Sequence, residues 1–160
     1  MAVLLTDAEI EQLLQERKIL PSDYLGRLRP KPKSGHEEQE LDFKGDNGSE
    51  FRAILRKSSY NVFDFSVILA YCVPGSTKVF RLRRYNGKSH EHTNPIEKQT
   101  FYDFHIHTAT ERYQDLGTRE DSFAEPTDRF SSIEEAVDCF LDDCNFEVPG
   151  GHQGKLFPKG

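Results

Sequence analysis

The spacing of apolar positions changes several times along the chain. Ile10, Leu13 and Leu14 recur at helical spacing behind Thr6-Asp7-Ala8-Glu9, a capping box in which the threonine hydroxyl and the glutamate carboxylate each answer an unpaired backbone N–H. This predicts a short amphipathic helix that ends by Pro21. The stretch Arg29-Pro30-Lys31-Pro32-Lys33-Ser34-Gly35 has no apolar period and reads as an extended linker, so the first helix is expected to be a loosely attached arm.

Beyond residue 36 the period falls to two. Leu41 and Phe43 alternate with polar neighbours over residues 40–44, and Gly45-Asp46-Asn47-Gly48 is a hairpin-type turn. Residues 51–56 return, residues 63–73 form a long apolar run suited to a central strand, and residues 78–85 follow Pro74-Gly75-Ser76. Asn86-Gly87 signals another tight turn, and residues 101–113 read as the last long strand. Short connections favour antiparallel pairing. Residues 112–129 are polar and turn-rich, so a long loop is expected there. Ser132-Ile133-Glu134-Glu135 then opens a helix carrying Ile133, Ala136, Val137, Phe140, Leu141 and Cys144 on one stripe.

These elements predict an α+β fold: about five mainly antiparallel strands, a C-terminal helix packed on one face, and a short N-terminal helix. The expected organisation is a helix and Pro/Lys-rich linker over residues 1–35, one domain over 36–147, and a Gly-rich flexible tail over 148–160.

At 160 residues the chain is long enough for one modest core. No apolar run approaches the roughly 20 residues that span a bilayer, and Asp7, Glu9 and Glu11 interrupt any signal-peptide pattern. A cytoplasmic protein with no membrane partner is the expectation. The three cysteines, Cys72, Cys139 and Cys144, make no Cys-x-x-Cys pair and read as reduced thiols.

The net charge of -6 argues against broad nucleic-acid binding, yet the charge is uneven. Residues 111–147 hold 12 acidic and 3 basic side chains. Lys78, Arg81, Arg83, Arg84 and Lys88 lie in a stretch without an acid. That basic run fits an anionic ligand or, equally, strand edges answering nearby acids.

The concentrated chemistry is two His-x-His pairs, His90/His92 and His105/His107, with His36 and His152 outside them. Alternation along a strand puts Tyr102, Phe104 and Ile106 on one face, toward the core. It puts Asp103, His105 and His107 on the other face, followed by Ala109 and Glu111, so the site is expected on an open sheet face. If residues 88–94 are extended, His90 and His92 also share a face, and the two pairs are expected to meet.

Two chemistries fit. One neutral and one protonated imidazole act as base and acid in phosphodiester cleavage, with Arg83, Arg84 and Lys88 binding phosphate and Asp103 orienting a ring. This version needs no cofactor. Alternatively His90, His92, His105 and His107, joined by Asp103 or Glu111, hold Zn²⁺ or a related divalent metal. Tyr85 and Tyr113 either stack on a base or pack in the core. A third reading has no chemistry: the acidic segment 115–128 and the sheet edge bind a protein, and the histidines are buried and satisfied by backbone.

The run Phe80-Arg81-Leu82-Arg83-Arg84-Tyr85-Asn86-Gly87-Lys88-Ser89-His90-Glu91-His92, followed by Thr100-Phe101-Tyr102-Asp103-Phe104-His105-Ile106-His107, resembles the middle of the TumE-type toxins of prokaryotic toxin–antitoxin pairs. Those proteins carry a strand ending in an aromatic residue and asparagine, a histidine pair, and then a second strand with clustered histidines. The likeness covers roughly residues 51–144. The family's adjacent histidines after a proline are here Ser89-His90-Glu91-His92. The resemblance implies a toxin-like nuclease with RNA as substrate and a cognate antitoxin as partner; a homodimer is compatible with it.

Overall fold

A computed structural model describes residues 4–149. The sheet is built around residues 65–72, the most apolar segment of the chain. This strand, β5 (Phe65–Cys72), sits fourth in a seven-stranded sheet, with hydrogen-bonded neighbours on both sides. The strand order is β10 (Ala124–Pro126), β9 (His105–Thr108), β6 (Val79–Asn86), β5, β4 (Glu50–Ser58), β3 (His36–Lys44) and β2 (Arg29–Lys33). Every pairing is antiparallel. A short ladder joins β1 (Lys18–Ile19) to β11 (Phe146–Glu147) in parallel, and β7 (His92–Asn94) pairs with β8 (Gln99–Phe101) as a hairpin.

One sheet face makes the core. Leu41, Phe51, Leu55, Val67, Leu69 and Tyr85 point to it and are almost fully buried. The helix α4 (Ile133–Asp143) covers it with Ala136, Val137, Phe140 and Leu141, each of the larger side chains contributing about 1.5–3 kcal/mol by leaving water. Ser132 caps this helix through the Glu135 N–H. The Glu135 carboxylate accepts from Ser131 rather than from the Ser132 N–H, so only half of a capping box forms.

The N-terminal arm is not loose. In α1 (Asp7–Gln15) the capping box is complete, and Ile10 and Leu14 are buried in the core. Lys18 follows, with no exposed surface. Its ammonium donates to the carbonyls of Leu13, Leu14, Glu16 and Cys144 at 2.7–3.0 Å, tying the end of α1 to the end of α4. Burial brings its pKa down to about 8.

The segment expected as a linker is the edge strand β2. Proline lacks a backbone donor and is tolerated at an edge, and Lys31 faces Glu38 across the ladder. Residues 112–129 are not one loop either. They hold part of α3 (Glu111–Asp115) and the edge strand β10. Residues 101–113 do not form one strand, because β8, a turn, β9 and α3 divide them. Tyr102 is therefore 51% exposed rather than inward-facing.

Asn86-Gly87 does not reverse the chain. Gly87 and Lys88 donate instead to the carbonyls of Phe65 and Phe63, and a Cβ on Gly87 would stand 1.9 Å from the Phe63 oxygen. The chain leaves β6 along β5 and crosses over the sheet to form the β7–β8 hairpin. Among the described residues no helix is long and apolar enough to cross a membrane, and all three cysteines are free thiols. Most of the expected tail, and His152, lie outside the described residues.

Candidate metal centre

Register fixes what shares the second face of the sheet. Asn86 pairs with His105, and Arg84 pairs with His107. Ile106, between the histidines, pairs with Tyr85 on the core side. The expected split of the His105 strand by face is thus present. The face is not open, however. His105 is 2% exposed and His107 3%, because the β7–β8 hairpin and residues 118–122 lie over them.

The hairpin delivers His92. Its ring stacks on His105 at 5.5 Å between centroids and meets His107 edge-on at 5.0 Å. One ring nitrogen from each of His92, His105 and His107 lies within 4.8 Å of the other two. Phe101, from the partner strand of the hairpin, packs against both His92 and His105 and closes the apolar side.

The opposite ring nitrogens are each held by an oxygen acceptor. His105 Nδ1 donates to the Asp103 carbonyl at 2.8 Å, and His107 Nδ1 donates to the Asp121 carbonyl at 2.7 Å. His92 Nε2 lies 2.8 Å from Asn94 Oδ1. The orientation of that amide is set independently. Asn94 Oδ1 accepts from the Ala124 N–H, and its amide nitrogen donates to the Ala124 carbonyl at 2.6 Å. His92 Nε2 must therefore be the donor. The second nitrogens, His92 Nδ1, His105 Nε2 and His107 Nε2, lie on the other side of each ring. A carbonyl behind each ligating imidazole is the arrangement that orients metal-binding histidines.

Among the described residues those second nitrogens have few partners. Asn86 approaches His105 Nε2 at 3.5 Å, the outer limit of a hydrogen bond, and neither His92 Nδ1 nor His107 Nε2 makes one. Histidines serving only structure would have both nitrogens satisfied. Burial pushes the His105 pKa down to about 4, assisted by nearby His92 and Arg84 and opposed by the Asp103 carbonyl. Burial, with Arg84 and the neighbouring imidazoles, brings His107 down to about 2. Rings held neutral suit a cation. They do not suit the acid member of an acid–base pair, which must carry a proton near pH 7.

A cavity of about 530 Å³ opens onto the three rings. Arg56, Arg84, Arg119, His36 and His90 line it, along with the acids Asp64 and Asp121. His90 therefore belongs to the cavity but not to the cluster; it is exposed and contacts Ser89 Oγ through Nδ1.

The other expected site residues separate. Arg84 lines the cavity, where Asp121 balances its charge at 3.3 Å. Arg83, next to Arg84 on the strand, alternates onto the opposite face, the face of Tyr85, near Asp143. Tyr85 is fully buried, hydrogen-bonded to Asp143 and packed on Phe130 and Phe140, so it stacks on no ligand. Lys88 points at the Tyr102 ring and does not line the cavity. Glu111 starts α3 and accepts from the Asp7 N–H, away from the histidines. Asp103 acts through its backbone carbonyl, and its side chain is exposed. Tyr113 is core, with its hydroxyl on Glu97.

Asp121 was not among the expected residues. It is fully buried between Arg81 and Arg84, at 3.5 and 3.3 Å. In sequence it is one acid among many in a polar stretch, and nothing local distinguishes it.

No curated protein and no solved structure matches this chain. A family model described as a family of unknown function, DUF6978, matches residues 5–146, from the first helix through the last strand and across the whole histidine cluster. The chain belongs to the DUF6978 family.

Proposed function

We propose that the protein is a metal-dependent hydrolase built on a three-histidine centre of His92, His105 and His107. The observation that carries this reading is the convergence of three imidazoles, each with one nitrogen anchored by an oxygen acceptor. In tetrahedral zinc sites the bonds are about 2.0–2.1 Å, which places ligand nitrogens about 3.4 Å apart. One ring nitrogen from each of the three histidines lies within 4.8 Å of the others, and a zinc ion held between them would draw them closer. Three protein ligands facing a cavity leave a coordination position for water or substrate, the pattern of catalytic rather than structural zinc sites. A metal there supplies a water of lowered pKa.

The chain's own residues supply the surroundings. Phe101 and the hairpin exclude bulk water from one side of the cluster. Exposed His90, in the cavity but outside the cluster, is placed to move a proton to the leaving oxygen. Hydrolysis then balances: the water oxygen bonds to the substrate, the ester bond breaks, and the leaving oxygen takes the proton.

Elemental analysis of untagged protein tests the centre. About one zinc or similar metal per chain is expected, with loss of uptake in His92→Ala, His105→Ala and His107→Ala and retention in His90→Ala. Less than about 0.1 metal per chain, together with no thermal stabilisation by added Zn²⁺, would sink the reading.

The narrower toxin-like role is a second proposal, supported by the arginines around the cavity. In this version a metal held by the three histidines would supply the water for RNA cleavage in place of an imidazole pair, and a cognate antitoxin restrains the protein in the cytoplasm. Growth arrest on expression, lost in His105→Ala and His107→Ala, is the expected outcome. Arrest unchanged by both substitutions removes the link to this site.

A further inference from the structure

The floor of the cavity is a polar row that runs straight across four strands. Arg56 on β4 pairs with Ser66 on β5, Ser66 pairs with Asn86 on β6, and Asn86 pairs with His105 on β9. The side chains continue the row: Ser66 Oγ donates to Asn86 Oδ1 at 2.8 Å, which turns the Asn86 amide nitrogen toward His105. Three strand spacings put Arg56 about 14 Å from His105.

The two ends of this row differ in charge from the rest of the protein's surface. Most arginines elsewhere are answered by acids: Arg17 by Glu147, Arg29 and Arg52 by Asp42, Arg112 by Glu97, Arg129 by Asp143. Half-buried Arg83, which lies outside this cavity near Asp143, makes no ion pair among the described residues. Among the described residues, Arg56 and Arg119 have no carboxylate within ion-pair distance, and both line this cavity. Arg119 lies at the histidine end, near enough for its charge to lower the Arg84 pKa, although burial is the larger cause. Arg56 lies at the far end. Its guanidinium is held by His36 Nε2 at 3.4 Å, and His36 Nδ1 is held by the Ser34 carbonyl. His36 sits on β3, farther from β9, so the arginine does not fold back toward the histidines.

We infer that the cavity takes a phosphate ester bearing at least two phosphates, one beside the metal centre and Arg119 and the other at Arg56 and His36. A single phosphate does not bridge a row of about 14 Å. Two phosphates on one ribose fall short of it as well, whereas a stretch of nucleic-acid backbone roughly two or three nucleotides long reaches from end to end. The guanidinium forks match phosphate oxygens, and two unanswered arginines in a chain of net charge -6 give the cavity a local field opposite to that of the whole protein. This inference builds on the metal reading for the inner phosphate and is independent of it for the outer one.

The test compares adenosine 5′-monophosphate with the 5′-phosphorylated deoxytrinucleotide pdApdApdA by calorimetry, on zinc-loaded and metal-free full-length protein. The trinucleotide is expected to bind about tenfold or more tightly, the gain of one charge-assisted contact. Arg56→Met should remove that advantage and leave the monophosphate affinity in place, whereas Arg119→Met should weaken both ligands. Both side chains are exposed, so the variants keep the fold. Equal affinities for the two ligands in the wild type, or a trinucleotide advantage that survives Arg56→Met, overturns the inference. Failure of zinc uptake with arginine-dependent trinucleotide binding intact would remove the metal reading alone. Zinc uptake without any arginine-dependent binding would remove this inference alone.

Discussion

Asp121 and His107 are joined at 2.7 Å by a hydrogen bond from His107 Nδ1 to the Asp121 backbone carbonyl, while the carboxylate of the same aspartate lies between Arg81 and Arg84. One residue thus anchors a candidate ligand with its backbone and balances two buried arginine charges with its side chain. The segment 118–122 is held over the sheet by those charges, so ligand geometry depends on an ion pair.

Asp121→Ala leaves two half-buried guanidinium groups without their shared counter-charge. Breaking such a buried arrangement costs about 3–5 kcal/mol. Because the carbonyl behind His107 shifts with the segment, zinc affinity should also fall, by about 10–100-fold. Urea denaturation and a zinc titration measure the two effects. A variant as stable as wild type would show that the carboxylate does not hold the segment.

Asn94→Ala acts on the other anchor. The Asn94 side chain meets the N–H and carbonyl of Ala124 on edge strand β10, as another strand would, and fixes the His92 ring at the same time. Its loss should weaken zinc binding about 10–100-fold, more than it weakens binding through His105 or His107 alone would suggest from sequence distance. An unchanged zinc affinity would place His92 outside the ligand set.

Acid should unfold the metal-free protein early. His105 and His107 have folded-state pKa values of about 4 and about 2, both below the ordinary 6.5. Below pH 6.5 the unfolded chain therefore binds more protons than the folded one. The stability contributed by these two neutral rings is complete above pH 6.5 and is lost as the pH falls toward 4, at up to about 1.4 kcal/mol per pH unit for each ring. Denaturation curves between pH 7 and 4.5 test this. A stability in that range no more acid-sensitive than that of His105→Gln/His107→Gln would refute it.

Lys18→Met removes a buried ammonium that satisfies four carbonyls at the ends of α1 and α4. Methionine fills the space, yet the carbonyls lose their donor. A cost of about 3 kcal/mol is expected from chemical denaturation. A neutral effect would mean that those carbonyls find water or other partners.

Gly87→Ala tests the crossing from β6 to the hairpin. The new Cβ would stand 1.9 Å from backbone oxygen, which no side-chain motion relieves. A loss of more than about 2 kcal/mol is expected, along with weaker zinc uptake, since the hairpin carrying His92 starts here. Wild-type stability and uptake would show that the crossing adapts.

Much of this was legible from local pattern, because local pattern is what sets period. The alternation of Leu41 and Phe43, the apolar run at β5 and the stripe from Ile133 to Leu141 each report burial of the element's own side chains. The two-residue period of β9 also placed His105 and His107 on the face away from the core. That period is a property of any strand and needs no partner. Local pattern alone therefore yields an α+β chain with one histidine row set apart from its core.

Only the tertiary structure decided which residues join that row. His92 enters through a hairpin folded across the sheet, Asp121 through a buried ion pair, and Arg56 and Arg119 through cross-strand register and a covering segment. Arg83 and Tyr85 left the expected site because the face of β6 that they share is the one turned to the core. Edge strand β2 likewise needed β3 beside it to become a strand. Each of these depends on contacts between segments far apart in the chain, whose energies appear only once the segments meet, so no local window of sequence contains them.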